Sequence, residues 1–293
     1  MKKKTTIMII TMEVIVLLSF CIFLTIRHNI QESQRPHERG MFEWREETIE
    51  HPESVQPLIE KLAITKWYQE FPPIWNPEVV SEFSSTLHQR GVKVYALFGS
   101  VDWGYESDGA TLTASLKQVT NYNKTAQKDA QIDGVMIDVE PYTSSRWKKH
   151  KEKNMKNYVD GMLKAYQSVA KQKLKVAICI PRHYDDQGLS EELERLIAKG
   201  CDEVAVMNYE CGHEVEKIKT EAMFAKKYGK ELHCILEFQE VGKHGLVEEK
   251  TYCNKGLAAA QKAWKTVDDA YPKLKITWDY HCTNPLIKIL ENE

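Results

Sequence analysis

The chain has 293 residues, 42% of them hydrophobic and 28% charged, enough apolar material for one sizeable core and too much for a disordered protein. The net charge is −2, and the first 30 residues hold a net +3 (Lys2, Lys3, Lys4 and Arg27 against Glu13), which leaves −5 on the rest. A mildly acidic body argues against nucleic acid as a partner.

Three lysines open the chain, followed by about twenty mostly apolar residues from Ile7 to Ile26, long enough to cross a bilayer as a helix. Residues 1–28 are therefore expected to form an N-terminal transmembrane helix, a membrane anchor or signal segment. Its C-terminal part, "SFCIFLTIRHN", offers only a poor small-x-small cleavage site, which favours an uncleaved anchor. The lysines ahead of the span predict a cytoplasmic N-terminus and an extracytoplasmic body, a single-pass protein of the cell membrane. Residues 29–40 are polar, punctuated by Pro36 and Gly40, and are expected to be a linker.

From residue 41 to 293, short apolar runs alternate with longer amphipathic ones. The short runs are "GMFEW", "AITKWYQEF", "KVYALFGSV", "GVMIDVE", "KVAICIP", "DEVAVMNYE", "ELHCILEF" and "KITWDYH". Helix-like segments separate them; in "KNMKNYVDGMLKAYQSVAKQ", Met155, Tyr158, Met162, Tyr166 and Val169 recur at three to four residues, the mark of one buried helix face. Eight strand-helix units in about 250 residues predict a (β/α)8 TIM barrel. Neither G-x-G-x-x-G nor a Walker-type loop follows the first strands, so nucleotide binding lacks its usual hardware. The basic run "RWKKHKEKNMK" reads as a solvated helix start. Of seven cysteines one lies in the apolar span and six are scattered without C-x-x-C spacing, which gives no disulfide framework and no zinc ribbon. No metal and no cofactor is expected.

In such a barrel the functional groups gather at the C-terminal ends of the strands. Those ends are rich in carboxylates and aromatics: Trp44, Tyr68, Asp102, Trp103, Asp138, Glu140, Tyr142, Arg182, His183, Asn208, Tyr209, Glu237, Trp278, Asp279 and His281. Aromatic plates beside acids suit a sugar, which offers an apolar ring face for stacking and hydroxyls for hydrogen bonds. Strand alternation puts Met136, Asp138 and Glu140 on one face, toward the barrel axis, and Val135, Ile137 and Val139 on the other, toward the helices. Acids at inward positions must be paired or hydrogen-bonded to be tolerated, so a plain core strand would carry Val or Ile there.

The segment "DGVMIDVE" resembles the strand-four motif D-G-x-D-x-D-x-E of the chitinase-type glycoside hydrolases, family eighteen. Asp133, Gly134, Asp138 and Glu140 match, and Met136 stands in place of the middle Asp. "VMNYE" resembles the family's strand-six motif, and Trp278 sits where a strand-eight tryptophan closes the sugar pocket. The resemblance implies that Glu140 is the general acid, that Asp138 orients the N-acetyl group whose carbonyl oxygen attacks the anomeric carbon, and that Tyr209 bonds that carbonyl. With the strand-end reading, the substrate-binding candidates for an N-acetylhexosamine polysaccharide are Trp44, Tyr68, Asp102, Trp103, Asn208, Glu237, Trp278 and Asp279. Met136 removes the carboxyl that shares a proton with Asp138. Two alternatives stay open: a retaining glycosidase in which Glu140 is acid/base and Glu237 the nucleophile, and a non-catalytic carbohydrate- or cell-wall-binding barrel.

Overall fold

The computed structural model of the protein describes residues 37–292. The expected membrane span, residues 1–28, lies outside the described residues, and so does most of the expected linker. Among the described residues no helix is long and apolar enough to cross a membrane.

Eight strands close into one parallel barrel in chain order: β1 (Arg39–Glu43), β2 (Lys66–Glu70), β3 (Lys93–Phe98), β4 (Gly134–Ile137), β5 (Lys175–Pro181), β6 (Glu203–Met207), β7 (Glu231–Glu237) and β8 (Ile276–His281). Each falls within one of the eight apolar runs, except that β1 starts two residues earlier than expected, at Arg39, and so takes the end of the linker. The ring is sealed by β1 against β8, with Arg39 beside Trp278 and Met41 beside Tyr280.

Helices cover the outside: α1 (Gln56–Leu62), α2 (Pro77–His88), α3 (Ala110–Thr125), α4 (Ser145–Lys149), α5 (Lys151–Val169), α6 (Ser190–Lys199), α7 (Glu214–Lys217), α8 (Lys219–Tyr228), α9 (Gly256–Ala270) and α10 (Thr283–Asn292). Local signals set their ends. Asn76 accepts a hydrogen bond from the Glu78 amide (3.1 Å) and Pro77 occupies the first turn of α2, a satisfied helix start with a pre-set backbone. The stripe expected on α5 is buried at Met155, Tyr158, Met162 and Val169. The basic run forms α4 and the start of α5, with Arg146, Lys148, Lys149, Lys151, Lys153 and Lys156 exposed.

Alternation along the strands makes two cores. Outward residues such as Trp67, Val94, Val135, Ile137, Val176, Ile178, Val204, Val206, Leu236 and Trp278 pack against the helices. Inward residues Phe42, Tyr68, Tyr95, Leu97, Met136, Ala177, Cys179, Ala205, Met207 and Ile235 fill the barrel. Beneath this inner core the floor is ionic. Lys66, 1% exposed, contacts Glu38 (3.0 Å), Glu203 (3.1 Å) and Glu231 (3.6 Å). His233 bridges Glu203 (3.0 Å) and Asp279 (2.8 Å), and the Tyr68 hydroxyl donates to Asp279 (2.9 Å). Burial opposes the charge on Glu38, but Lys66 outweighs it and holds the carboxyl down at about 2. Glu203 is likewise lowered, by His233 and Lys66 against burial. Gly40 is required here, because a Cβ would sit 2.1 Å from Asp279 Oδ1 and 2.3 Å from the Tyr68 oxygen.

Candidate active site

The strand mouths surround a cavity of about 830 Å³ whose lining includes Phe42, Trp44, Ser100, Asp138, Glu140, Tyr142, Cys179, Tyr209, Glu237, Gln239 and His281. Past the end of β4 the chain stays extended, held by the Asp138 amide on the Phe98 carbonyl (2.7 Å). Asp138 and Glu140 thus continue the inward face begun by Met136. The following turn is fixed at Glu140, whose carbonyl accepts from the Thr143 hydroxyl (2.7 Å), while the Tyr105 hydroxyl donates to the Pro141 carbonyl (2.9 Å). Gly99 lets the β3 loop close over this segment, since a Cβ there would lie 2.6 Å from the Asp138 carbonyl oxygen.

Asp138 is pushed up to about 7, first by burial and next by the neighbouring charge of Glu140; His281 and the Cys179 thiol act in the opposite direction. Its Oδ1 is enclosed and has no hydrogen-bond partner among the described residues. Met136, fully buried directly below in the inner core, supplies none. The Cys179 thiol is itself pushed well up by burial and by these acids, so it stays a donor. Tyr142 donates its hydroxyl to Glu140 Oε1. Burial and Glu140 together push that phenol far above its ordinary range.

Across the mouth lies a second chain of bonds. The Trp44 indole N–H donates to His281 Nε2 (3.2 Å), so the imidazole carries its proton on Nδ1 and donates it to Glu237 Oε2 (2.9 Å). Glu237 Oε1 accepts from the Phe238 and Gln239 amides, both at 2.8 Å, and Gln239 Nε2 approaches Oε2 at 3.3 Å. These donors outweigh burial and lower the Glu237 carboxyl, which is 3% exposed. Burial disfavours protonation of His281, but Glu237, then Asp138 and Glu140, raise it. Tyr209 stands beside His281 with ring centroids 6.1 Å apart, its phenol pushed well up by burial and by Glu237.

Of the residues expected from the sequence, Trp44, Asp138, Glu140, Tyr209 and Glu237 line this one cavity, with Tyr142, Arg182, His183 and His281 from the same strand ends. The others lie elsewhere. Tyr68 and Asp279 face inward but a layer too deep, in the floor network. Asn208 and Trp278 have the outward parity: Asn208 donates to the Glu214 carbonyl (2.9 Å), and Trp278 stacks on Trp264 at 5.6 Å and 7° while its indole donates to Asp268 (3.0 Å). The strand-eight side chain at the mouth is His281, three residues beyond Trp278. Asp102, 83% exposed, pairs with Arg146 (2.5 Å), and Trp103 packs on the outer core. The six barrel cysteines are free thiols. Among the described residues no group of three or more His, Cys, Asp or Glu is arranged to hold a metal ion.

The fold that carries this site is that of the chitinase-type glycoside hydrolase barrels, as the strand-four motif leads one to expect. The chain superimposes on a GH18 chitinase from Pseudoalteromonas aurantia with a TM-score of 0.55 at 10% identity, covering 87% of this chain and 100% of that one. The PgaB (BpsB) glycoside hydrolase domain from Bordetella bronchiseptica gives 0.53 at 11% identity over 86% and 96%, and a chitinase from Chromobacterium violaceum 0.51 at 11% over 87% and 98%. At these identities the likeness is one of fold. No family model and no curated protein matches the sequence.

Proposed function

We propose that the protein is a glycoside hydrolase acting on an N-acetylhexosamine-containing polysaccharide, with Glu140 as general acid. The reading rests above all on Asp138 and Glu140, which share one strand face and open with Tyr209 into the same cavity. Glu140 gives its proton to the glycosidic oxygen as the bond to the anomeric carbon breaks. The acetamido carbonyl oxygen of the substrate attacks that carbon, its N–H held by Asp138 and its oxygen by Tyr209. With Met136 below, Asp138 lacks the second aspartate that the family's motif places beside it. Chitinase-named neighbours of the same fold support this substrate class.

Glu237 fits poorly as the nucleophile of a double displacement. Both its oxygens already accept hydrogen bonds, and the carboxylate is turned into His281 and its own following amides. Glu140→Gln keeps the shape and removes the transferable proton, so hydrolysis of N-acetylhexosamine oligomers should fall on the order of 10² to 10⁴ while binding survives. Glu237→Gln should act mainly through the placement of His281. Covalent labelling of Glu237 by a fluorosugar, with an unaffected Asp138→Asn variant, would overturn the substrate-assisted mechanism.

We further propose that the barrel is displayed outside the cell on an uncleaved N-terminal anchor, a reading supported by the lysines ahead of the apolar run. Protease added to intact cells should digest the barrel; protection that is lost only on lysis would refute this orientation.

A further inference from the structure

The acids of the cavity belong to β4 and β7, but the arc of the mouth from β5 to β7 is cationic. The loop after β5 brings Arg182 and His183 to the lining, and the connection after β7 brings Lys243, His244 and Lys250. Arg182 is partnered by Glu210. Lys243 and Lys250 make no ion pair among the described residues, and both are exposed at the cavity lining. Acids are not lacking nearby; they are turned elsewhere. Glu240 pairs with Lys288 (2.7 Å), and Glu248 accepts from Asn254 (2.9 Å) and Lys255 (3.3 Å).

The connection that presents these lysines is built. Its base is closed by the Thr251 hydroxyl on the Gln239 carbonyl (2.7 Å) and by the Tyr252 amide on the Glu237 carbonyl (2.8 Å). Its tip is a tight turn in which the Gly242 amide bonds the Leu246 carbonyl (2.8 Å) and the Leu246 amide bonds the Lys243 carbonyl (2.9 Å). His244 is held there at φ 51°, a left-handed conformation that a non-glycine residue adopts only at a cost. On the other side of the arc, His183 is lowered by burial and then by Arg182; Asp186 and Asp185 oppose this, and Lys250 adds to it from across the gap.

We infer that this arc is a subsite for an anionic substituent of the glycan. The ligand is an N-acetylhexosamine polymer bearing a carboxylate or phosphate on a sugar adjoining the one held over Asp138 and Glu140. Lys243 and Lys250 bond the anion directly, and Arg182 behind them adds its field. Two exposed lysines at the mouth of a cavity favour an anionic ligand over a neutral polymer of the same sugars. The inference rests on the glycosidase reading and narrows its substrate.

The test uses the full chain carrying Glu140→Gln, so that binding is read without turnover. Three oligosaccharides of equal length are titrated calorimetrically: N-acetylglucosamine alone, the same chain with lactyl carboxylates on alternate sugars, and the same chain with phosphate groups. At low salt the better anionic ligand should bind about tenfold more tightly than the neutral one, as expected for charge-assisted bonds to two exposed lysines. The margin should shrink to about twofold or less at high salt, and also in the Lys243→Gln/Lys250→Gln variant. Which of the lactyl and phosphate ligands wins identifies the anion. Equal binding of neutral and anionic chains, or a margin that the lysine substitutions leave intact, overturns the subsite while the glycosidase reading stands. Failure of all three to bind overturns that reading and the subsite with it.

Discussion

Replacing Asp138 by asparagine probes the electrostatics of the cavity directly. In the folded barrel this carboxyl titrates at about 7 rather than 3.8, because burial, and then Glu140, resist its charge. Below 3.8 both folded and unfolded chains hold the proton and the group has no effect on stability. Between that value and 7 the unfolded chain ionises and the folded one does not, so the wild type loses stability as pH rises; above 7 the loss is complete. The gap between the two titrations corresponds to on the order of 4 kcal/mol. The side chain is only part-buried, so about half of that, about 2 kcal/mol, is the expected effect. Asparagine has the same shape and no charge at any pH. Asp138→Asn should therefore match the wild type near pH 4 and exceed its melting temperature by about 4 to 8 °C near pH 8. Thermal unfolding followed by tryptophan fluorescence at both pH values measures the difference. A gap of equal size at both, or a variant that is the weaker protein at pH 8, refutes the argument.

Two further tests address groups on either side of the inner core. Burial opposes the charge on His233, but Asp279 leads the groups that raise it to about 9, so its contribution to stability is complete below 6.5 and lost as pH rises through 9. Wild type should lose on the order of 3 kcal/mol between about pH 7 and pH 10, and His233→Gln, weaker throughout, should lack that descent in denaturant titrations. Trp44→Phe keeps a ring over the mouth but removes the N–H from His281 Nε2, freeing that nitrogen for a second proton in a field set by Glu237, Asp138 and Glu140. The imidazole C–H resonances should titrate at higher pH in the variant; an unchanged curve would show that the indole bond does not govern the tautomer.

The barrel was legible because its strands are doubly buried and carry near-continuous apolar runs, while helix periodicity fills the intervals. Asp138 and Glu140 stood out for a related reason: a period of two carries acids onto a face where Val or Ile would otherwise lie. Depth was not legible. Asp279 and His281 share a face of β8, yet only barrel closure, which sets Asp279 beside Ile235 and Gly40, decides which is floor and which is mouth. Parity was hard to assign where a strand's first residue was unknown, and one step separates the outward Trp278 from the inward Asp279. The lysines at the mouth gave no periodic signal, because they ride on an irregular connection whose path is fixed by tertiary hydrogen bonds of Thr251 and Tyr252. Cys179 enters the site only through its contact with Asp138, which linear spacing does not encode.

The ionic floor has a consequence for how this protein tolerates change. Lys66, Glu203, His233, Asp279 and Tyr68 are closed upon one another below the inner core, and losing any one charged member strands its partners in a dry interior, a loss of about 3 to 5 kcal/mol. Variation is therefore filtered by depth: the floor can change only in concert, whereas the mouth, with little of the fold's stability invested in it, can drift one residue at a time. Met136 lies above the ionic layer in the inner core, so a change there alters packing without disturbing what holds the barrel shut, and the mouth can take on new side chains while the folded object stays the same.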